Sequence, residues 1–238
     1  MSYFAPVMGL ALGCDAISGE REKGTLKLVL SQPVFRDNVI NGKFLATALA
    51  VSLSMVFSSM VSIGVAIIIL GVAPSTEEGV RMVLFLIFSV LFTMTYYGIS
   101  IFFSTLLKKT SQGIILGITL WALFSFVIPI LASLIAITVA WPIAMPGQED
   151  SMERMRKFTA IVEGISSITP NYHFGKIAQY ILNPYATREG YFQSQPLHEA
   201  ASIMASLIHA GPHILILAIV SGLAFFASYI AFIRQEIR

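Results

Sequence analysis

The chain has 238 residues, of which 56% are hydrophobic and only 12% charged, about half the charge of an ordinary soluble domain. Its mean hydropathy of +0.79 excludes a water-soluble globule, and a formal charge of +2, with the basic residues at helix ends, excludes a nucleic-acid-binding stripe. A single cysteine, Cys14, excludes an internal disulfide and any CxxC-type metal or redox motif. The composition predicts an all-α, polytopic transmembrane helix bundle forming one membrane domain over residues 1–238. Each crossing takes about 20 apolar residues, so the length allows roughly five or six.

Residues 1–14 are apolar but as a helix would span only about 21 Å, short of a crossing. They have no basic leader and Pro6 interrupts them, so they read as mature membrane sequence rather than a signal peptide. Residues 15–43 turn polar and must lie outside the hydrocarbon. Three long apolar runs follow, 44–72, 80–107 and 114–145, each long enough to cross. The connectors around Pro74, Glu77 and Glu78 and at Lys108-Lys109-Thr110-Ser111-Gln112 suit turns at opposite membrane faces. Pro129 predicts a kink in the third run, and Trp141 an interfacial anchor. Residues 146–212 are mixed, with turn signals at Pro170, Pro184 and Pro196. They predict extracytoplasmic amphipathic helices lying on the membrane face. The last crossing is 214–233, with the basic tail of Arg234 and Arg238 after it. Counting Lys and Arg in short loops puts 15–43, the Lys108-Lys109 loop and the tail in the cytoplasm, because the opposing short loop holds only Arg81.

Segment 15–43 is the most informative. Residues 15–23 can continue the first helix out of the membrane, Gly24 permits a sharp reversal, and Thr25 can cap a second short helix. In that helix Leu26, Val29 and Leu30 stand at i, i+3 and i+4 and share an apolar face, while Lys27 projects elsewhere. Pro33 stops it, and Gly42-Lys43 introduces the next crossing. Glu20 can pair with Lys23 or accept hydrogen bonds from a partner. By physics alone the elbow either transmits a push from a soluble partner or rests on lipid headgroups.

Asp15, Ile17, Glu20, Gly24, Thr25 and Leu26, then Ser31, Pro33 and Arg36, then Gly42 and Lys43 form one register over about 30 residues. It resembles the cytoplasmic elbow and coupling helix of type-2 ABC transporter permeases, the exporter-like class. The stretch Thr169-Pro170-x-Tyr172-x-Phe174 is similar to the family's outer-face segment before its last helix, and the nearest subgroup is the permease of the nitrous-oxide reductase maturation system. The resemblance implies a transmembrane subunit of an ATP-binding cassette transporter. Such a subunit would work as a pair with a second permease copy, identical or closely homologous, in the lipid bilayer, and would be driven by separate ABC-type ATPase subunits. Glu20, Arg21, Gly24, Thr25, Leu26, Val29, Leu30, Pro33 and Arg36 would meet the ATPase. Gly42-Lys43 lacks the rest of G-x-x-x-x-G-K-[ST], so ATP would be bound by the partner and the chain implies no cofactor of its own. Members of the family carry six helices, and this chain begins in what would be the second.

Other constellations weigh less. His209 and His213 stand four apart, a metal-ligand spacing, but Pro212 sits between them and no Cys or carboxylate adds to them. His198-Glu199 lacks the second histidine of H-E-x-x-H, so interfacial polar residues are favoured and no metal site is assigned. Gly9 with Gly13, and Gly113 with Gly117, form GxxxG pairs, favouring general helix packing over a specific dimer seam. Ser52, Ser54, Ser58, Ser59, Ser62, Thr93, Thr95, Tyr96 and Tyr97 either line a pathway or satisfy their own helix backbones. No charge stands in the middle of a crossing, which argues against a proton- or sodium-coupled carrier. The rival class is an intramembrane protease or lipid-modifying enzyme, and no nucleophile with a base supports it.

Overall fold

A computed structural model describes residues 1–31, 33, 35–71, 73–141, 151–183 and 202–234, and every regular element among them is a helix. In chain order these are α1 (Phe4–Gly13), α2 (Ser18–Glu22), α3 (Thr25–Ser31), α4 (Arg36–Leu70), α5 (Thr76–Leu106) and α6 (Thr110–Ala122). A π-helical turn (Leu123–Val127), α7 (Ile128–Ala140), α8 (Ser151–Ser166), α9 (Pro170–Leu182) and α10 (Ile203–Ile233) complete them. Among the described residues four stretches are long and apolar enough to cross a membrane: α4, α5, the continuous Thr110–Ala140, and α10.

α5 is the hub, and the most buried of the four. Ser75 and Glu78 start it with a reciprocal capping box, the Glu78 carboxylate accepting from the Ser75 amide at 2.7 Å. Phe92 stacks on Phe174 of α9 at 4.2 Å, within a cluster that includes Ala5, Leu10, Val51, Tyr96, Ile177 and Leu217. α1 is too short to cross and instead lays Ala5, Pro6, Gly9, Leu10 and Gly13 inward, packed against α5. A Cβ at Gly9 would overlap the Thr93 carbonyl oxygen, and one at Gly13 would lie 2.7 Å from Ser100 Cβ. On α6, a Cβ at Gly117 would come 3.2 Å from Leu10. Both GxxxG pairs therefore serve helix contact within the chain.

Pro129 has no N–H to give the Ser125 carbonyl, and the helix answers by widening into a π turn over Leu123–Val127. Three boundaries differ from the sequence reading. α4 begins at Arg36, so Gly42-Lys43 lies inside the helix rather than opening it. The last helix begins at Ile203, capped by Ser202, and carries Pro212 in its interior instead of starting at residue 214. Residues 15–23 do not continue α1, because the Ser104 hydroxyl takes the amides of Ile17 and Ser18 at 3.0 and 2.9 Å, and a separate α2 starts at Ser18.

The segment between α7 and α10 differs most. α8 folds back along α7, and α9 runs beside α5 and α10. Asn171, in the first turn of α9, accepts from Tyr96, which is about 30 Å along α5 from Thr76. At the other end of α9 the Ile181 carbonyl accepts from Arg81 at 2.9 Å. α9 thus packs against the α5 and α10 spans over its length, with α8 against α7, rather than standing apart from the bundle as a surface helix. Phe174, Ile177 and Ile181 are buried against the bundle rather than turned outward. The turn signals at Pro184 and Pro196, with His198 and residues 235–238, lie outside the described residues.

Candidate functional site

The elbow, α2 and α3 with the start of α4, is held to the ends of three other helices by charge-assisted hydrogen bonds. Arg21 donates to the carbonyls of Thr105 and Leu107, both at 3.0 Å, where α5 ends and its last carbonyls lack helical partners. Burial pulls the Arg21 pKa below its ordinary value. Glu22 accepts from the Thr110 amide at 3.1 Å and the Thr110 hydroxyl at 3.0 Å, placing an anion at the positive end of α6. Arg36 donates to the Ile233 carbonyl at 3.4 Å, at the C-terminal end of α10. The Ser18 hydroxyl joins this clamp through Ser104 at 3.1 Å and Thr110 at 3.2 Å.

Glu20 pairs with Lys43 of α4 at 2.7 Å, not with Lys23, so the bond closes the elbow across its two arms. Gly24 turns the chain at φ +73. Thr25 begins α3 and, rather than capping it, donates its hydroxyl to the Glu20 carbonyl at 3.2 Å. Leu26 is buried with Ile17, Ile40, Tyr97, Ile101 and Phe232, whereas Leu28 on the same helix is 65% exposed. α3 therefore grips its own bundle through Leu26 and shows Leu28 outward. The side chains of Lys27, Val29 and Leu30 lie outside the described residues. Pro33 is exposed between α3 and α4.

Nothing lies within 4 Å of a Cβ built at Gly24, so a side chain there costs backbone strain alone. Gly24→Val should destabilise the protein by about 1–2 kcal/mol, and Gly24→Asn, which tolerates the left-handed region, by distinctly less. Thermal unfolding of purified protein checks this, and equal unfolding temperatures for the two variants would contradict it.

Sequence reasoning named Arg21 and Arg36 but missed Ser18, Glu22, Ser104 and Thr110 as their companions. Glu22 and Thr110 are 88 positions apart, and no local pattern joins them. The serines and threonines weighed as pathway lining mostly satisfy their own helices. Ser52 donates to the Ala48 carbonyl, Ser59 to Val56, Thr93 to Ser89 and Thr95 to Leu91. Ser52 and Ser59 also face a cleft of about 590 Å³ between α4 and α5, lined with Met55, Met60 and Met82. Its serine hydroxyls are thus already committed. Tyr96 is different: it donates to Asn171, whose amide donates to Ser125 of the π turn at 2.9 Å. No three of His, Cys, Asp and Glu gather as a metal site among the described residues.

Four membrane-capable helices, a short helix packed on their hub and an elbow clamped at one end define a polytopic membrane protein. The chain belongs to the ABC-2 transporter family, whose model matches residues 1–237. It is 30% identical over 142 residues to a probable ABC transporter permease protein NosY of Pseudomonas aeruginosa, covering 56% of this chain and 50% of the relative. It is 28% identical over 130 residues to the protein of the same description from Stutzerimonas stutzeri, covering 53% and 46%. The chain spans about half the length of these curated relatives.

Proposed function

We propose that the chain is the membrane pathway of an ABC transporter and that a separate ATPase subunit drives it by seating on the elbow, with a second permease copy completing the transporter. The observation that carries this reading is the clamp. An exposed helix face at Leu28 sits on a platform tied by Arg21 and Glu22 to the junction of α5 and α6. A push on α3 is then delivered to α5, the hub of the bundle, instead of being absorbed by a loose loop. Family membership supports an ABC ATPase as the source of that push. The short-loop excess of Lys and Arg on the elbow side supports a cytoplasmic elbow, with α8 and α9 reached from the opposite face. ATP hydrolysis then belongs to the partner, because the sequence has no phosphate-binding loop. Pull-down from native membranes in mild detergent should recover an ATPase subunit with this chain. Recovery of a transport-competent permease with no nucleotide-binding subunit would overturn the proposal.

A further inference from the structure

Well away from the elbow, His173 of α9 and His213 of α10 meet Nδ1 to Nδ1 at 2.9 Å. The other ring nitrogen of His173 lies 2.8 Å from the Ser167 carbonyl in the hairpin turn. A carbonyl only accepts, so His173 Nε2 carries a hydrogen, and when His173 is neutral its Nδ1 is bare and accepts from His213 Nδ1–H. His173 is 4% exposed, and His213 lies about 15 Å inside α10 from Ile203. The bond therefore joins the hairpin to a membrane span below the surface.

Between Nδ1 atoms at this distance one hydrogen fits and two do not. The pair keeps its bond with neither ring or either ring cationic, and loses it when both are, because two N–H groups and two like charges then oppose each other. The other groups around the pair do not replace the missing bond. Glu163 of α8 and Lys176 of α9 are bonded to each other at 2.5 Å, and Lys176 also lies 5.6 Å from the Tyr172 ring. Tyr172 meets His213 ring to ring at 5.7 Å, and Tyr180 packs beside His209 and His213 at 6.0 and 6.2 Å. His209, one turn from His213, adds a further titratable ring but no hydrogen bond to the pair.

We propose that His173 and His213 form a proton-operated latch that holds the α8–α9 hairpin against the last span and releases it when the solution it faces is acidified. The sign follows from the bond. While at least one ring is neutral the latch is closed, and acidification that adds the second proton opens it. The ties of α9 through Asn171, Phe174 and Ile181 remain, so the opening is a local loosening around His173 and the hairpin turn.

The test is amide hydrogen exchange over residues 167–176 in lipid nanodiscs at about pH 7.5 and about pH 5, corrected for the intrinsic pH dependence of exchange. Wild type should exchange about fivefold to tenfold faster at the lower pH, the effect of losing one buried hydrogen bond. H213Q should not respond, because a glutamine amide donates to a bare Nδ1 and, turned over, accepts from a protonated one. E163Q should respond as wild type does. Equal protection of wild type at both pH values, an acid response in H213Q, or loss of the response in E163Q would each overturn the latch. If H213Q is unprotected throughout, the comparison of wild type with E163Q decides. An acid response that E163Q shares supports the latch, and one that E163Q loses belongs to the carboxylate and overturns it.

Discussion

Gly9→Val is expected to abolish accumulation of folded protein. A Cβ at this position would overlap the Thr93 carbonyl oxygen and lie 3.0 Å from the Tyr97 amide nitrogen, both backbone atoms of α5 that no rotamer change can move aside. α1 would have to lift off α5, exposing Ala5 and Leu10 and breaking the hydrogen bond from Ser100 to the Leu10 carbonyl at 2.9 Å. Overpacking of this kind costs about 1–3 kcal/mol where neighbours can relax, and backbone neighbours relax least. Gly222→Val on α10, where nothing lies within 4 Å, is the matched control with the same loss of backbone freedom. Fluorescence-detected size exclusion should give a monodisperse peak for the Gly222 variant and none for the Gly9 variant. Equal peaks would mean that α1 does not pack on α5 in this way.

Arg21→Ala is expected to uncouple transport from ATP turnover in the assembled transporter. The guanidinium bonds two carbonyls at the end of α5, and hydrogen bonds to charged groups are worth about 1.5–3 kcal/mol. Arg21→Lys keeps the charge but cannot hold both carbonyls with one fork, so it should fall between wild type and alanine. Glu22→Ala frees the Thr110 amide at the start of α6 and, being more exposed, should have a smaller effect in the same direction. With the elbow detached from α5, the ATPase can still dock and turn over while the movement fails to reach the hub. Transport per ATP hydrolysed should fall about tenfold or more, the factor given by about 1.4 kcal/mol. Proportional loss of both activities would point to failed assembly instead.

Local signals in the sequence carried much of this arrangement. Apolar run length located the membrane spans to within a few residues at most ends, and Gly24 and Pro33 marked the reversal and the break that separate α3 from its neighbours. Pro129 marked the place where the helix changes geometry, although the response is a π turn. Everything decided by distant pairing was hidden. The seating of α9 against the bundle depends on Asn171 finding Tyr96 and Ser125, and on Arg81 finding the end of α9. In sequence that segment looks like an interfacial loop, because its charges Glu163 and Lys176 neutralise each other only after folding. Lys43 posed the same difficulty: it read as a helix-opening residue and is the partner of Glu20.

A photo-cross-linking amino acid at Leu28, 65% exposed, tests most directly whether the outer face of α3 receives an ATPase. Irradiation of native membranes should join this chain to a subunit carrying a phosphate-binding loop, identified by mass spectrometry, while the same probe at Leu53 of α4, 60% exposed among apolar neighbours, should join it to lipid. A probe at Leu28 that captures only lipid, in membranes where the ATPase copurifies with the permease, would contradict the account.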